Sequence, residues 1–241
     1  MENIEKVCDN LVSWLIDKVQ EAGCKGLVVG LSGGIDSAVV AALAKRAFPE
    51  SSLGVIMPCH SNSKDEEHAK LVAETIGLKT VKVDLSKTFD SLLDELKDDG
   101  TNLLAVSNIK PRLRMTTLYY FAQRNKYLVA GTGNKSELTI GYFTKYGDSG
   151  VDLLPIADFV KFEVKELAKF LGIPEIIINK PPSAGLWENQ TDEGEMGFSY
   201  KELDSFILTG EATHEVKEKI IRMNKLSEHK RRMPLMFIRE K

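Results

Sequence analysis

Cysteine is scarce in this 241-residue chain: Cys8, Cys24 and Cys59 form neither a CxxC pair nor a ladder. That argues against a disulfide framework and against a zinc site. No uninterrupted apolar run approaches the roughly 20 residues needed to cross a bilayer. Positive charge is not in excess either; the formal net charge is −3, so composition gives no support to a nucleic-acid-coating role. The amino terminus, MENIEKVCDNLVSWLIDKV, lacks a cationic leader followed by an apolar block. It spaces Ile4, Val7, Leu11 and Leu15 at helical intervals and reads as an amphipathic helix. Internal repeats, low-complexity tracts and a clear linker are missing too. With 43% hydrophobic and 28% charged residues, the chain can bury a sizeable core as one domain over 1–241. The expectation is a soluble cytoplasmic protein with no nucleic-acid or membrane partner.

Short apolar segments alternate with longer helical patterns through the first two-thirds. LVVGL (27–31), LGVIMP (53–58), KTVKVDL (79–85) and KYLVAGT (126–132) are predicted strands. Between them helices are expected from Ser37 to before Pro49, from a Ser63/Glu66 capping box to about Gly77, over about 88–97, and through the basic KPRLRMTTLYYFAQRN. This alternation predicts an α/β fold, an open parallel sheet with helices on both faces, Rossmann-like. Ligands in such sheets bind beyond the carboxyl ends of the strands. Candidate site residues should therefore lie in the turns after Leu31, Pro58 and Thr132. The last third reads as a loop through GYFTKYGDSGVDLLPIADF, a helix over about 162–171, a polar lid-like segment NKPPSAGLWENQTDEGEMGFS, and helices over about 200–208 and 214–227.

The turn after the first strand is Ser32-Gly33-Gly34-Ile35-Asp36-Ser37. Two glycines let backbone amides converge on one point, and the following helix adds unpaired amides and a positive dipole end. Hydroxyls supply further donors. The pattern is either a capped tight turn or a cradle for phosphate. Asp36 is out of place beside bare phosphate, but not if it holds a magnesium ion bridging phosphate oxygens. The lysine of a Walker loop is missing, and so is a dinucleotide GxGxxG. Thr132 and Glu137, in GTGNKSE, follow the fourth strand and belong at the same sheet edge, where a second carboxylate could face Asp36. Read alone, Glu137 is a solvated helix residue, the usual fate of a glutamate, and Lys145 and Lys161 are two of 32 Lys and Arg residues with a surface role.

SGGIDS resembles the pyrophosphate loop of the N-type ATP pyrophosphatases, which have an adenine nucleotide alpha-hydrolase-like fold. Within that group GTGNKSE, GYFTKYGD, SAGLWENQTDE and EHKRR resemble the ammonia-dependent NAD synthetases, in the family's order and over nearly the whole chain. The resemblance implies ATP on Gly30, Ser32, Gly33, Gly34, Ile35, Asp36, Ser37, Thr132, Lys161 and Ser183. It implies magnesium on Asp36 and Glu137. It assigns the substrate, nicotinic acid adenine dinucleotide (deamido-NAD), to Arg112, Arg114, Lys145, Asp148, His229 and Lys230. The resemblance also implies a site across a homodimer interface, with Asp148 and Lys161 as the catalytic candidates. One departure stands out: Ser183-Ala184-Gly185-Leu186 occurs where the family commonly has an aspartate in place of Gly185.

The implied reaction is ATP-dependent amidation by ammonia through an adenylated intermediate, giving NAD, AMP and pyrophosphate. A glutaminase would need a further domain of about 200 residues, for which the predicted sheet leaves no room, so ammonia is the expected nitrogen source. Two alternatives remain at this point. Another pyrophosphatase of the same type would adenylate a different substrate. A silent nucleotide-binding protein would keep the cradle without the chemistry.

Overall fold

Residue alternation along the first strand sets the layers. In β1 (Gly26–Gly30), Leu27 and Val29 face one side and Val28 the other, and all three are fully buried. Such a strand needs cover on both faces. A computed structural model of the chain describes residues 3–97, 99–183, 185 and 191–239. Before β1 comes α1 (Ile4–Glu21); after it come α2 (Ile35–Ala47), β2 (Ser52–Ile56), α3 (Ser63–Ile76) and β3 (Thr80–Lys82). The helices α4 (Ser86–Leu96), α5 (Leu103–Ser107) and α6 (Ile109–Asn125) lead to β4 (Tyr127–Ala130). The strands run parallel in the order β3-β2-β1-β4, with Val28 opposite Leu53 on one side and Val129 on the other. Buried side chains of α1, α2 and α3 pack on the Leu27/Val29 face; α4 and α6 cover the Val28 face. The expected α/β architecture is therefore the observed one.

Boundaries moved by one or two residues at most elements; the differences that matter are the length of β3, the cap of α3 and a helix in the lid-like segment. β3 is three residues long, not seven. It is an edge strand whose first and last residues are exposed, and Asp84 leaves the sheet to accept a hydrogen bond from the Ser86 amide at 2.9 Å. At the start of α3 the predicted Ser63/Glu66 capping box does not form. Asn62 caps the helix instead, accepting from the Lys64 amide, while Glu66 pairs with Lys70 and Lys82 at 2.7 and 2.8 Å. The lid-like segment also ends in a helix rather than in loop.

Beyond β4, α7 (Lys135–Ile140) and α8 (Lys161–Phe170) flank the irregular stretch 142–160, which touches β4 through a parallel bridge between Ala130 and Leu153. Then follow α9 (Glu175–Ile178), α10 (Asp192–Met196), α11 (Tyr200–Thr209), α12 (His214–Leu226) and α13 (Glu228–Arg231). Helix α8 joins the Leu27/Val29 face. Ile140, Met196, Leu203 and Ile220 make a separate small core that presses α7, α10, α11 and α12 together. This satellite sits beside the sheet's carboxyl edge because α7 begins there. No helix among the described residues is long and apolar enough to cross a membrane.

Candidate active site

The turn between β1 and α2 is held by its own serines. Ser37 Oγ donates to the Gly34 carbonyl at 2.9 Å and lies 3.1 Å from Ser32 Oγ, which accepts from the Gly34 amide at 3.3 Å. Gly33 sits at φ +74°, and a Cβ there would come within 2.3 Å of the Asp65 carbonyl oxygen. Only glycine fits both demands. Its carbonyl accepts from Lys180 Nζ at 3.0 Å, and the same ammonium pairs with Asp65 at 2.7 Å. The turn is thus fixed from below, while α2 aims its N-terminus into a cleft of about 1170 Å³.

At the cleft floor three charged groups meet from three elements. Lys161, the first residue of α8, is 2.5 Å from Asp36 Oδ2 and 3.4 Å from Glu137 Oε1. Asp36 Oδ1 also accepts from Asn134 Nδ2 at 2.9 Å. Asn134 and Glu137 are joined by a capping box that opens α7, so one local signal positions both. Burial and then the nearby Asp36 carboxylate push the Glu137 carboxyl up to about 8. Burial works to lower the Lys161 ammonium pKa, but Asp36 and Glu137 outweigh it and hold it above its ordinary value. Two carboxylates share one ammonium here.

The opposite wall is built from the stretch 141–150 and the carboxyl-terminal helices. Lys230 Nζ donates to the carbonyls of Gly141 and Phe143 at 2.9 and 2.8 Å, and its pKa is pushed down by burial, with Asp148 opposing the shift. Lys145 Nζ donates to the His229 carbonyl at 2.8 Å. Asp148 accepts from the Thr144 amide at 2.8 Å. The walls of the cleft around it push its carboxyl above the ordinary range, against the Thr144 amide and Lys230, although the residue itself is exposed to the cleft. From α6, Arg112 donates to the Asn108 and Lys145 carbonyls, and Arg114 to the Met57 carbonyl and Ser61 Oγ. The two arginines, two positions apart, both face this one cleft. Arg114 braces the turn after β2 as it does so.

Nearly every residue singled out in the sequence lines the same cleft. Gly30, Ser32, Gly34, Ile35, Asp36, Ser37, Thr132, Glu137, Lys161 and Ser183 lie toward the loop end. Arg112, Arg114, Lys145, Asp148, His229 and Lys230 line the far wall. Gly33 is the exception; it turns toward Asp65 and does not line the space. The expectations that involve Ala184 and Leu186 lie outside the described residues. Gly185 takes φ +60°, and a Cβ there would approach Asp65 Oδ2 to 3.7 Å. An aspartate at that position would set a second carboxylate beside the Asp65–Lys180 pair. Sequence reasoning missed Asn134, Lys180 and Asp65. Asn134 carries a legible signal, since an asparagine three residues before a glutamate is a capping pattern. Asp65 and Lys180, 115 positions apart, carry none.

The family model described as NAD synthase matches residues 7–234. The NH(3)-dependent NAD(+) synthetase of Carboxydothermus hydrogenoformans is 57% identical, over 96% of this chain and 97% of that one. Among solved structures, NMN synthetase from Francisella tularensis matches with a TM-score of 0.94 at 36% identity, covering 98% of this chain and 99% of the other. The NH3-dependent NAD synthetase of Campylobacter jejuni gives 0.83 at 29% identity, covering 98% and 100%. The chain belongs to the NAD synthase family.

Proposed function

We propose that the chain catalyses the last step of NAD biosynthesis, the ATP-dependent amidation of deamido-NAD by ammonia, as a ligase forming a C–N bond. One observation carries the reading: a single cleft joins the loop end, with Asp36, Glu137 and Lys161, to a wall of cations around Asp148. ATP at the first end and an anionic dinucleotide at the second bring the nicotinate carboxylate up to the ATP α-phosphorus. A carboxylate oxygen forms the new P–O bond as the bond to pyrophosphate breaks. Ammonia then adds at the acyl carbon of the NAD-adenylate, and AMP leaves with the electrons of the C–O bond. The surplus proton of the amide nitrogen passes to Asp148, the carboxylate that faces the cleft on this wall.

No covalent protein nucleophile is needed, because ATP activates the substrate. The chain's own contribution is placement and charge neutralisation. Loop amides and the Ser32 and Ser37 hydroxyls hold the leaving pyrophosphate, with Thr132 and Ser183 on the ATP. Lys161 neutralises the negative charge that builds on it. Asp36 and Glu137 fit magnesium: both are hard oxygen donors that converge on one point, and a divalent cation there would draw off the proton that burial holds on Glu137. Bound there, the ion would supply neutralisation across the triphosphate. Arg112, Arg114, Lys145, His229 and Lys230 face the dinucleotide.

The same reading gives one synthetase domain over 1–241 that takes free ammonia rather than glutamine. It also gives a cytoplasmic homodimer with the substrate at the interface. The exposed apolar run Met233, Leu235, Met236, Phe237 and Ile238 supports a second copy. A second substrate reading has its own support: the neighbour with a TM-score of 0.94 is an NMN synthetase. On that reading the acid amidated is the mononucleotide, which lacks the adenylate half. One experiment separates the two. Purified protein with ATP, magnesium and ammonium is given deamido-NAD or nicotinic acid mononucleotide, and amide product and pyrophosphate are measured by mass spectrometry. Dinucleotide turnover well above mononucleotide turnover is expected. The reverse preference would transfer the reading to the mononucleotide, and product from neither would sink it.

A further inference from the structure

Helix α8 presents Lys161 as its first residue, yet no side chain before it caps its first amides; Glu163, inside the helix, accepts only from the Val160 amide at 3.0 Å. Val160 precedes it, and a valine side chain accepts no hydrogen bond. The first amides of a helix must then find acceptors elsewhere. They find them on two buried side chains from distant elements. The Lys161 amide donates to Ser136 Oγ at 3.1 Å, and the Phe162 amide donates to Asp204 Oδ2 at 2.8 Å. Ser136 Oγ in turn donates to Asp204 Oδ1 at 2.5 Å. Ser136, in α7, is fully buried, and Asp204, in α11, is 5% exposed.

A buried carboxylate is costly unless its oxygens are satisfied. Here both Asp204 oxygens accept a bond, and the positive end of α8 favours the charge. Four residues earlier, on the same face of α11, Tyr200 sets its ring 5.0 Å from the Lys161 ammonium and donates its hydroxyl proton to Asp192 at 2.9 Å. So α11 grips Lys161 twice, through the backbone at its root and through an aromatic face at its tip. A free lysine side chain samples many rotamers; this one is held where Asp36 and Glu137 meet.

We propose that Asp204, acting through Ser136 and the first amides of α8, is a positioning residue that sets Lys161 against the phosphates of ATP. The proposal rests on the reading of Lys161 as the phosphate-neutralising lysine. Asp204→Asn keeps an acceptor for one amide but leaves the Ser136 hydroxyl proton without its acceptor. The variant should lower kcat for pyrophosphate release about 10- to 100-fold while leaving the KM for ATP within about two-fold, because a displaced catalytic group costs rate more than ground-state binding. In a Lys161→Ala background the same change should lower kcat no further.

A second readout needs no turnover. Acetic anhydride labelling of the ligand-free protein, followed by mass spectrometry, gives the rate at Lys161 relative to Lys110, another buried lysine. Asp204→Asn should raise that ratio at least about tenfold if the grip on Lys161 is loosened. General destabilisation would raise both rates together. Should Asp204→Asn fail to fold, Ser136→Ala takes the same two measurements. Wild-type kcat, or an unchanged labelling ratio, in a folded variant overturns the proposal. If the wild-type protein amidates neither acid, the functional reading falls, and the labelling ratio still decides the placement of Lys161.

Discussion

The two ends of the cleft hold their cations differently. At the ATP end lysines are met by carboxylates: Lys161 by Asp36 and Glu137, Lys180 by Asp65. At the substrate end they rest on backbone carbonyls and ring faces. Lys230 lies on two carbonyls and over Phe143, Lys145 on one carbonyl and over Tyr146, and Arg112 on two carbonyls. Carbonyl dipoles and aromatic faces orient a cation without cancelling its charge. The first end therefore gathers hard carboxylate oxygens and, on the reading proposed above, suits a nucleotide that arrives with a divalent cation. The second stays cationic and suits a ligand that arrives with phosphates and a carboxylate. One cleft with two electrostatic characters is what a two-substrate ligase requires.

Removing the lysine at the carboxylate-rich end should do the most damage. Lys161→Ala deletes the charge that meets the leaving pyrophosphate, and kcat for pyrophosphate release should fall about 100- to 1000-fold, as for other preorganised electrostatic groups. Asp36 and Glu137 would be left facing each other without a counter-charge. A loss below about tenfold would mean that the loop amides and metal carry the step alone.

The excess of carboxylates at that end is itself measurable, in the ligand-free protein without magnesium. Glu137 is held up to about 8 from an ordinary 4.5. Between those values Glu137 keeps a proton in the folded chain that it loses in the unfolded one, so this group's contribution to stability is fullest below pH 4.5 and declines as pH rises toward 8. The slope can reach about 1.4 kcal/mol per pH unit for one full proton. Glu137→Gln should flatten this decline, as read by urea midpoints from pH 5 to 8.5, and it should abolish the gain in stability on adding magnesium and ATP. An equal slope in both proteins would place the extra proton elsewhere.

The two ends also differed in how far they could be read from sequence. The loop end was legible because its parts are short and contiguous. SGGIDS follows a strand, and GTGNKSE follows another that the alternating pattern places alongside. Parallel crossovers bring the two turns to one edge, so Asp36 and Glu137 had to approach. Lys161 was different. Its place depends on Val160 failing as a cap and on Asp204, in a distant helix, supplying an acceptor instead. The substrate wall was legible only through resemblance to a family, since its bonds run from side chains to carbonyls 84 and 89 positions away. Any residue has a carbonyl, so such contacts leave no trace in residue type. The short β3 was misread for a related reason, because alternation in KTVKVDL cannot tell an edge strand from a central one.

At the substrate end the smallest of these effects tests the sharpest part of the contrast. Lys230 has spent two of its three protons on the Gly141 and Phe143 carbonyls, and one remains for a ligand. Burial pushes its pKa down, so the ammonium is readier than an exposed one to gain from an anion. Lys230→Ala should raise the KM for deamido-NAD about tenfold, the worth of roughly one charge-assisted hydrogen bond. The KM for ATP should stay near wild type, because no loop residue touches this lysine in the bonds it makes. Lys230→Arg should recover only part, since a planar fork cannot reproduce an ammonium set between two carbonyls. If Lys230→Ala instead raised both KM values alike, the lysine would be holding the fold of 141–143 under the whole cleft, and the separation into two electrostatic ends would lose its clearest support.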